Sequence, residues 1–304
     1  MIYTITLNPA LDFHVDAGHL EIGKLNRSKT SVLIPGGKGI NVSIMLSRFG
    51  VPTTASGFLG GFTGNHIRKT LQSVHGIDTD FVMIDGSTRI NIKLRHDGVE
   101  TEVNQDGPVP TPSEVRRLLD RISMLEETDI VVLSGAPAKG AVELVGKIAK
   151  SCHDRHLKFV VDTSGKSFVD ALPYQPYLVK PNIHELEEFA GKTLGNLEEI
   201  VSAGKDLLQK GAQYAIVSLG SEGSLFFSQD EIYRNRGVSG HVVSTIGSGD
   251  SMVAAFLIQK VKGASLQESY KLAVAAGSAT AFTEGIATKA QVESILPLVD
   301  IDSI

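Results

Sequence analysis

Cysteine occurs once, at Cys152. A single thiol excludes an internal disulfide framework and any multi-cysteine zinc site. The nine histidines form no HExxH or other short metal-binding pattern. No apolar run approaches the length of a membrane span. The opening Met1-Ile2-Tyr3-Thr4-Ile5-Thr6-Leu7 alternates as a strand does and lacks the basic start and apolar core of a signal peptide. Excess charge is small: 29 Lys+Arg against 34 Asp+Glu leaves −5. That balance argues against a nucleic-acid partner and against an acidic membrane surface. A cytoplasmic protein is the expectation. What remains is ordinary globular composition, 42% apolar and 21% charged. The 304 residues are enough for one α/β domain with an appendage.

Strand-like and helix-period segments alternate through most of the chain. Val51 to Leu59, Asp129 to Ser134, Lys158 to Asp162, Tyr177 to Lys180 and Tyr214 to Leu219 read as short buried strands. Between them run amphipathic stretches such as Pro112 to Leu125, Ala141 to Ser151 and Asn196 to Lys210. Such alternation predicts a mainly parallel sheet flanked by helices, doubly wound, in a single domain over residues 1–304. One region breaks the rhythm. Arg89 to Arg95 alternates polar and apolar, His96-Asp97-Gly98 makes a turn, and Val99 to Asn104 returns. This is a β-hairpin with Arg89, Asn91 and Lys93 on one face and Ile90, Ile92 and Leu94 on the other. With strands from about 12–35 it forms a small sheet, expected over about 87–106, acting as a lid or a dimer surface. An antiparallel edge of the main sheet is the alternative.

Five polar or glycine-rich clusters immediately follow predicted strands: Asn8 to Asp12, Ser134 to Pro137, Asp162 to Gly165, Lys180 to Glu185 and Gly220 to Gly223. Each alone is most simply a turn. A doubly wound sheet, however, gathers the C-terminal ends of its strands at one crevice, where ligands bind. Gly36-Gly37-Lys38-Gly39-Ile40-Asn41 opens a helix running to about Phe49, with Gly50 as its cap. Glycines allow close approach, Lys38 carries charge, and Asn41 donates and accepts, which suits a phosphorylated or hydroxyl-rich ligand. It is not a Walker A loop, because no Ser or Thr follows Lys38. The dinucleotide fingerprint and the protein-kinase signatures are also missing. Asn182 and Glu185 lie one helical turn apart. They fit either a capping box or oxygen ligation of Mg²⁺, directly or through its waters.

Thr245-Ile246-Gly247-Ser248-Gly249-Asp250 precedes an apolar helical run from Ser251 to Val261. Backbone N–H groups at such a turn, aided by the helix N-terminus, can stabilise an anion such as a phosphoryl group in transfer. Asp250 beside them can take a proton from an attacking hydroxyl. The same residues equally make a plain helix cap.

Taken together these motifs resemble the phosphofructokinase B family of ribokinase-like sugar kinases over nearly the whole chain. The motifs that carry it are Thr6-Leu7-Asn8-Pro9-Ala10-Leu11-Asp12, Gly36 to Asn41, Ser134 to Pro137, Lys180 to Glu185 and Gly247 to Asp250, in the family's order. Asn26-Arg27-Ser28, Gly60 to Gly64, Thr88 to Leu94 and Gly277 to Phe282 point within it to the members that phosphorylate D-fructose 1-phosphate on the 6-hydroxyl. Tagatose-6-phosphate kinases and 6-phosphofructokinases of the same family are the alternative. Two departures stand out: Ser134-Gly135-Ala136-Pro137 is one residue shorter than the usual Ser-Gly-Ser-Leu-Pro, and Ser248 replaces a common alanine.

The resemblance implies a ribokinase-like α/β fold with a β-lid that doubles as a homodimer clasp, ATP as co-substrate and Mg²⁺. It implies Asp250 as base, with the N–H groups of Gly247, Ser248 and Gly249 as an anion hole. Asp12, Gly37 and Asn41 would hold the sugar, and Lys38, Arg89 and Asn91 its phosphate. Lys180, Ser218, Gly220 and Gly223 would line the nucleotide site, and Asn182 and Glu185 would organise the metal. Carbonyls of Thr280 to Ala287 are candidates for a monovalent cation. The helix dipole is expected to lower the resting pKa of Asp250. Lys38, Arg89 and Lys93 form a basic set that a nucleoside or vitamin kinase would not need. The intact Asp250 turn argues against a non-catalytic sensor, and the missing fingerprint against an NAD-dependent oxidoreductase.

Overall fold

Short apolar strands with nearly every residue buried dominate the molecule, and their two faces go to different cores. A computed structural model describes all residues, 1–304. In β1 (Ile2–Thr6), Tyr3 and Ile5 face one hydrophobic cluster while Ile2 faces the other. The strand β8 (Ile130–Ser134) repeats this with Val131 and Leu133 against Ile130 and Val132. Such two-sided burial is what a sheet covered by helices on both faces demands.

The remaining elements, in chain order, are β2 (Ala10–Gly18), β3 (Thr30–Gly36), α1 (Lys38–Arg48), β4 (Thr53–Leu59), α2 (Gly61–His75), β5 (Asp78–Met83), β6 (Arg89–His96), β7 (Val99–Asn104) and α3 (Pro112–Ile122). After β8 come α4 (Glu143–Asp154), β9 (Lys158–Asp162), α5 (Gly165–Ala171), β10 (Leu178–Val179), α6 (Ile183–Ala190), α7 (Leu197–Gln209) and β11 (Tyr214–Ser218). The chain ends with β12 (Ser224–Phe227), β13 (Ile232–Asn235), α8 (Ser248–Val261), α9 (Leu266–Ala281), α10 (Lys289–Ile295) and β14 (Asp302–Ser303).

Ten strands make the main sheet in the order β14-β13-β12-β11-β10-β9-β8-β1-β4-β5. Pairing is parallel from β11 to β5 and antiparallel at the β12–β14 end. The expected doubly wound, mainly parallel sheet is therefore present, extended by an antiparallel edge. The strand read as Val51 to Leu59 begins at Thr53, because Pro52 cannot donate to the ladder. The strand read as Tyr177 to Lys180 is only two residues long.

The second sheet has the order β3-β2-β6-β7 and is separate from the first. The hairpin falls at the Asp97-Gly98 turn, with both residues at positive φ. An edge of the main sheet is thereby excluded for this segment. Its polar face turns inward: Asn91 and Lys93 are buried, while Ile92 between them is 37% exposed. The helix α8 is the other decisive element. Its residues from Met252 to Ile258 are all buried, as expected of a helix apolar on every side. It is flanked by α1 and α9 and so carries its first turn into the interior.

Candidate active site

The parallel register brings the C-terminal ends of β1, β8 and β9 side by side, with Thr6 beside Ser134 and Ser134 beside Asp162. An isolated bridge between Asn182 and Ser218 continues the same edge. The post-strand clusters therefore do converge on one crevice. Buried polar side-chain atoms normally find partners. Here Thr6, Ser134, Asp162 and Thr163 each hold an unpartnered oxygen at this edge, as does Ser248 at the head of α8. Such a concentration of unpaired polar atoms is what a polar ligand could satisfy.

The glycine turn differs in detail from its reading in the sequence. The helix α8 starts at Ser248, not Ser251, with Gly247 as its N-cap in the left-handed region at φ 79°. Asp250 consequently sits inside the first turn. The Ser248 N–H closes a turn on the Thr245 carbonyl at 3.2 Å. The N–H groups of Gly247, Gly249 and Asp250 have no acceptor, as first-turn amides must. Unpaired N–H groups at the positive end of a helix can hold an anion, and the Ser248 N–H is occupied elsewhere.

Asp250 is almost fully buried and accepts a hydrogen bond from Asn41 Nδ2 at 2.8 Å. Its carboxyl is raised to about 7, first by burial and then by the charge of Asp162; Lys38, Asn41 and Lys180 oppose the shift. This overturns the expectation that the helix dipole would lower it. Desolvation of a carboxylate and a like-charged neighbour outweigh a half-charge at a helix end.

Two lysines converge on Asp162. Lys38 Nζ lies 3.1 Å and Lys180 Nζ 3.6 Å from the same Oδ1. Burial pushes the Asp162 carboxyl up, but Lys180 and Lys38 together hold it below its ordinary value. Asp162 in turn raises Lys38, with Asp250 and Glu185 adding to the effect against burial. Lys180 also leans across the turn: a Cβ on Gly249 would stand 2.5 Å from its Nζ. A side chain at Gly249 would displace the ammonium from where it sits.

The lid delivers a second polar chain. Asn91 Nδ2 donates to Asp12 Oδ1 at 2.8 Å, and Arg89 Nη1 donates to Asn91 Oδ1 at 3.3 Å. The other Arg89 donors hold the carbonyls of Asn8 and Gln105. Asp12 lies against Gly36, where a Cβ would collide with its carboxylate. Gly37, at φ 129°, caps α1. Lys93 must be removed from the expected basic set, because Glu102 on the neighbouring strand pairs with it at 2.5 Å.

Asn182 and Glu185 form a reciprocal capping box. Asn182 Oδ1 accepts the Glu185 N–H at 2.9 Å, and Glu185 Oε2 accepts the Asn182 N–H at 2.8 Å. The capping reading is correct, and it leaves Glu185 Oε1 without a hydrogen bond and close enough to raise Lys38. One free carboxylate oxygen suits a hydrated Mg²⁺ shared with phosphates, not an all-protein cage. Ser218 ends β11 and Gly220 lies open at the crevice. Gly223 has a backbone reason instead: at φ 91°, its missing Cβ makes room for the backbone of Asn235 to Gly237.

Asp162 is the residue whose importance the sequence concealed. Its cluster is visible after a strand, but the two lysines that meet it come from 124 and 18 positions away, one on each side.

A buried carboxyl beside unpaired N–H groups at a helix head is an arrangement that phosphoryl transfer can use. The family model described as pfkB family carbohydrate kinase matches residues 8–292. The chain belongs to this family. It is 41% identical over 302 residues to a 1-phosphofructokinase of Bacillus subtilis, covering 99% of each chain. It is 36% identical to a D-tagatose-1-phosphate kinase of Bacillus licheniformis, covering 94% of each. Among solved structures it is similar to phosphofructokinase-2 of Escherichia coli in complex with substrates and products. There the TM-score is 0.91 at 28% identity, over 97% of this chain and 98% of that one.

Proposed function

We propose that the protein transfers the γ-phosphoryl group of ATP to the 6-hydroxyl of D-fructose 1-phosphate, giving fructose 1,6-bisphosphate and ADP. The observation that carries this reading is Asp250, buried at the head of α8 between Asn41 and Asp162, beside three N–H groups with no acceptor. Asp250 receives the hydroxyl proton, and a carboxyl near neutrality suits general-base work. The N–H groups of Gly247, Gly249 and Asp250, with Lys180 above Gly249, meet the charge on the group in flight.

Asp12, Gly37 and Asn41 hold the sugar. The Arg89–Asn91–Asp12 chain ties that grip to the lid, with Arg89 as the cation for the sugar's own phosphate. Ser218 and Gly220 border the nucleotide. When bound, Mg²⁺ would neutralise the nucleotide phosphates, with Glu185 reaching it through water. The carbonyl of Ile286 accepts from Arg48, so a monovalent cation would take other carbonyls of the run Thr280 to Ala287. These substrates place the work in the cytoplasm.

The outward face of the lid supports a homodimer. Phe13, Leu33, Ile92 and Val103 stand in one cross-strand row on that face, and Leu33 and Val103 are 41% and 57% exposed. Such a row is at home against a second copy of itself.

D-Tagatose 1-phosphate, which differs from the fructose ester at one stereocentre, is the second candidate acceptor, on the strength of the relative of that name. A coupled ADP-release assay across fructose 1-phosphate, tagatose 1-phosphate, tagatose 6-phosphate and fructose 6-phosphate decides. The highest kcat/KM is expected for fructose 1-phosphate, and a preference for any other overturns the substrate assignment.

A further inference from the structure

The cations expected near the acceptor's own phosphate are largely committed elsewhere. Lys93 pairs with Glu102, and Lys38 with Asp162. Arg89 makes four hydrogen bonds, two to the carbonyl of Asn8 and one each to Gln105 and Asn91. A guanidinium has five N–H groups, so one remains. A phosphate monoester brings close to two negative charges and three strong acceptor oxygens. Such a group asks for more donors than Arg89 has free.

Lys139 stands beside this cluster, on the loop between β8 and α4. Its Nζ lies 3.0 Å from Asp106 Oδ2 and has no other ion-pair partner. The carbonyl of the same Asp106 accepts from Asn8 Nδ2 at 3.0 Å. On either side of Asp106 the chain touches Arg89. The Gln105 carbonyl accepts from Arg89 Nη1 at 3.1 Å, and a Cβ on Gly107 would stand 3.2 Å from Arg89 Cδ. Lys139 and Arg89 therefore meet around one short segment, residues 105–107, Lys139 from the β8 side and Arg89 from the lid. The loop that carries Lys139 also starts at the crevice. Ser134 at its head is in register with Thr6 and Asp162 and holds a buried Oγ without a partner. The Lys139–Asp106 pair is open to solvent, with side chains 84% and 67% exposed. Ion pairs this exposed are weakly held. A phosphate, with more charge and more acceptor oxygens than one carboxylate, can displace Asp106 from the ammonium.

We propose that Lys139 is a specificity-determining residue that binds the phosphate of the sugar-phosphate acceptor beside Arg89, and that Asp106 is the counterion it leaves to do so. This assignment rests on the reading of the site as a sugar-phosphate kinase and adds a residue to it. Its consequence is a difference of sign. If the pair merely braced two loops, loss of either partner would loosen the site in the same direction. In competition, loss of Lys139 takes a donor from the phosphate, whereas loss of the Asp106 charge takes away a rival for that donor. An acceptor without a phosphate gains nothing from Lys139 and leaves it on Asp106.

The test is calorimetric titration of fructose 1-phosphate into the wild type, Lys139→Met and Asp106→Asn, with KM for both substrates measured alongside. Both side chains are exposed, so the substitutions disturb little packing. Lys139→Met should weaken binding of the ester and raise its KM about tenfold, the worth of one charge-assisted hydrogen bond. Asp106→Asn should tighten binding roughly twofold, since an exposed ion pair is a weak competitor. KM for ATP should stay where it is in both variants. D-Fructose, which lacks the phosphate, should compete equally well against the wild type and Lys139→Met.

Unchanged affinity for the ester in Lys139→Met overturns the proposal. So does weaker binding in Asp106→Asn, which would make the pair a brace, and so does an equal loss for fructose and its phosphate. If the wild type prefers another of the sugar phosphates, the substrate assignment falls, and the same comparison with that ester judges Lys139. If the wild type binds none of them, the reading of the site fails and the role of Lys139 falls with it. That failure shows in the wild type, whereas failure of the Lys139 assignment alone shows only in the variants.

Discussion

The two sheets of this protein solve opposite problems with the same period-two alternation. In the main sheet both faces are apolar and both are covered, so Val131 and Val132 on adjacent positions of β8 are equally buried in different cores. In the lid, the face that turns toward the protein is the polar one. Asn91 and Lys93 are buried and Ile92 is not. Polar side chains tolerate this because each has a partner: Asp12 for Asn91, Glu102 for Lys93, and carbonyls for Arg89. Burial of polar groups is affordable when hydrogen bonds are complete. The lid thus buries polar side chains that pair with one another and leaves apolar ones exposed, whereas the main sheet is shaped around its own core.

The largest effect that would test this contrast is on stability. Phe226→Ala, in a ring cluster with Tyr214, Tyr233, Phe256 and Tyr270, should cost about 3–5 kcal/mol in urea unfolding. Val103→Ala on the outer lid face should change monomer stability by less than about 0.5 kcal/mol. Equal losses would mean that the lid face is core after all.

Next in size is the proposed catalytic carboxyl. Asp250→Asn should lower kcat by at least ~10² with little change in KM, and near-normal turnover of the purified variant would remove Asp250 from its role. The same variant carries a stability signature whose sign is fixed. A carboxyl raised from 3.8 to about 7 favours folding below 3.8, and this contribution is lost as pH rises through 7. Asp250→Asn should therefore melt above the wild type at pH 8, with the advantage shrinking toward pH 5. Calorimetry at the two values measures it, and a variant less stable at pH 8 contradicts the assignment.

On the lid, Arg89→Ala should raise KM for the sugar phosphate roughly 10- to 100-fold, the worth of charge-assisted hydrogen bonds, and leave KM for ATP nearly unchanged. Equal losses for both substrates would move Arg89 out of the acceptor site. The smallest expected effect is on assembly. Ile92→Asp should weaken dimerisation about tenfold by placing an unpaired charge in an apolar row. Sedimentation over a concentration series reads this directly, and an unaltered dimer would place the interface elsewhere.

Much of the site was legible in the chain because it lies in contiguous turns. Gly36 to Asn41, Lys180 to Glu185 and Gly247 to Asp250 each announce themselves by glycines and polar groups at helix starts. The hairpin and its Asp97-Gly98 turn were equally plain, since local alternation and positive-φ preference need no distant partner. Asp162 was not legible as a site residue, because an aspartate after a strand is also an ordinary turn residue. Its meaning comes from Lys38 and Lys180, which only the parallel register brings to it.

The residue order by itself determined which faces alternate and which turns are glycine-led, since these depend on neighbours a few positions apart. Tertiary structure alone decided that the polar face of the lid points inward, that Lys93 pairs with Glu102, and that burial and Asp162 push the Asp250 carboxyl up from its ordinary value. Those outcomes depend on burial and on charges brought together across the chain. Desolvation and Coulomb energy act through space, whatever the separation in sequence.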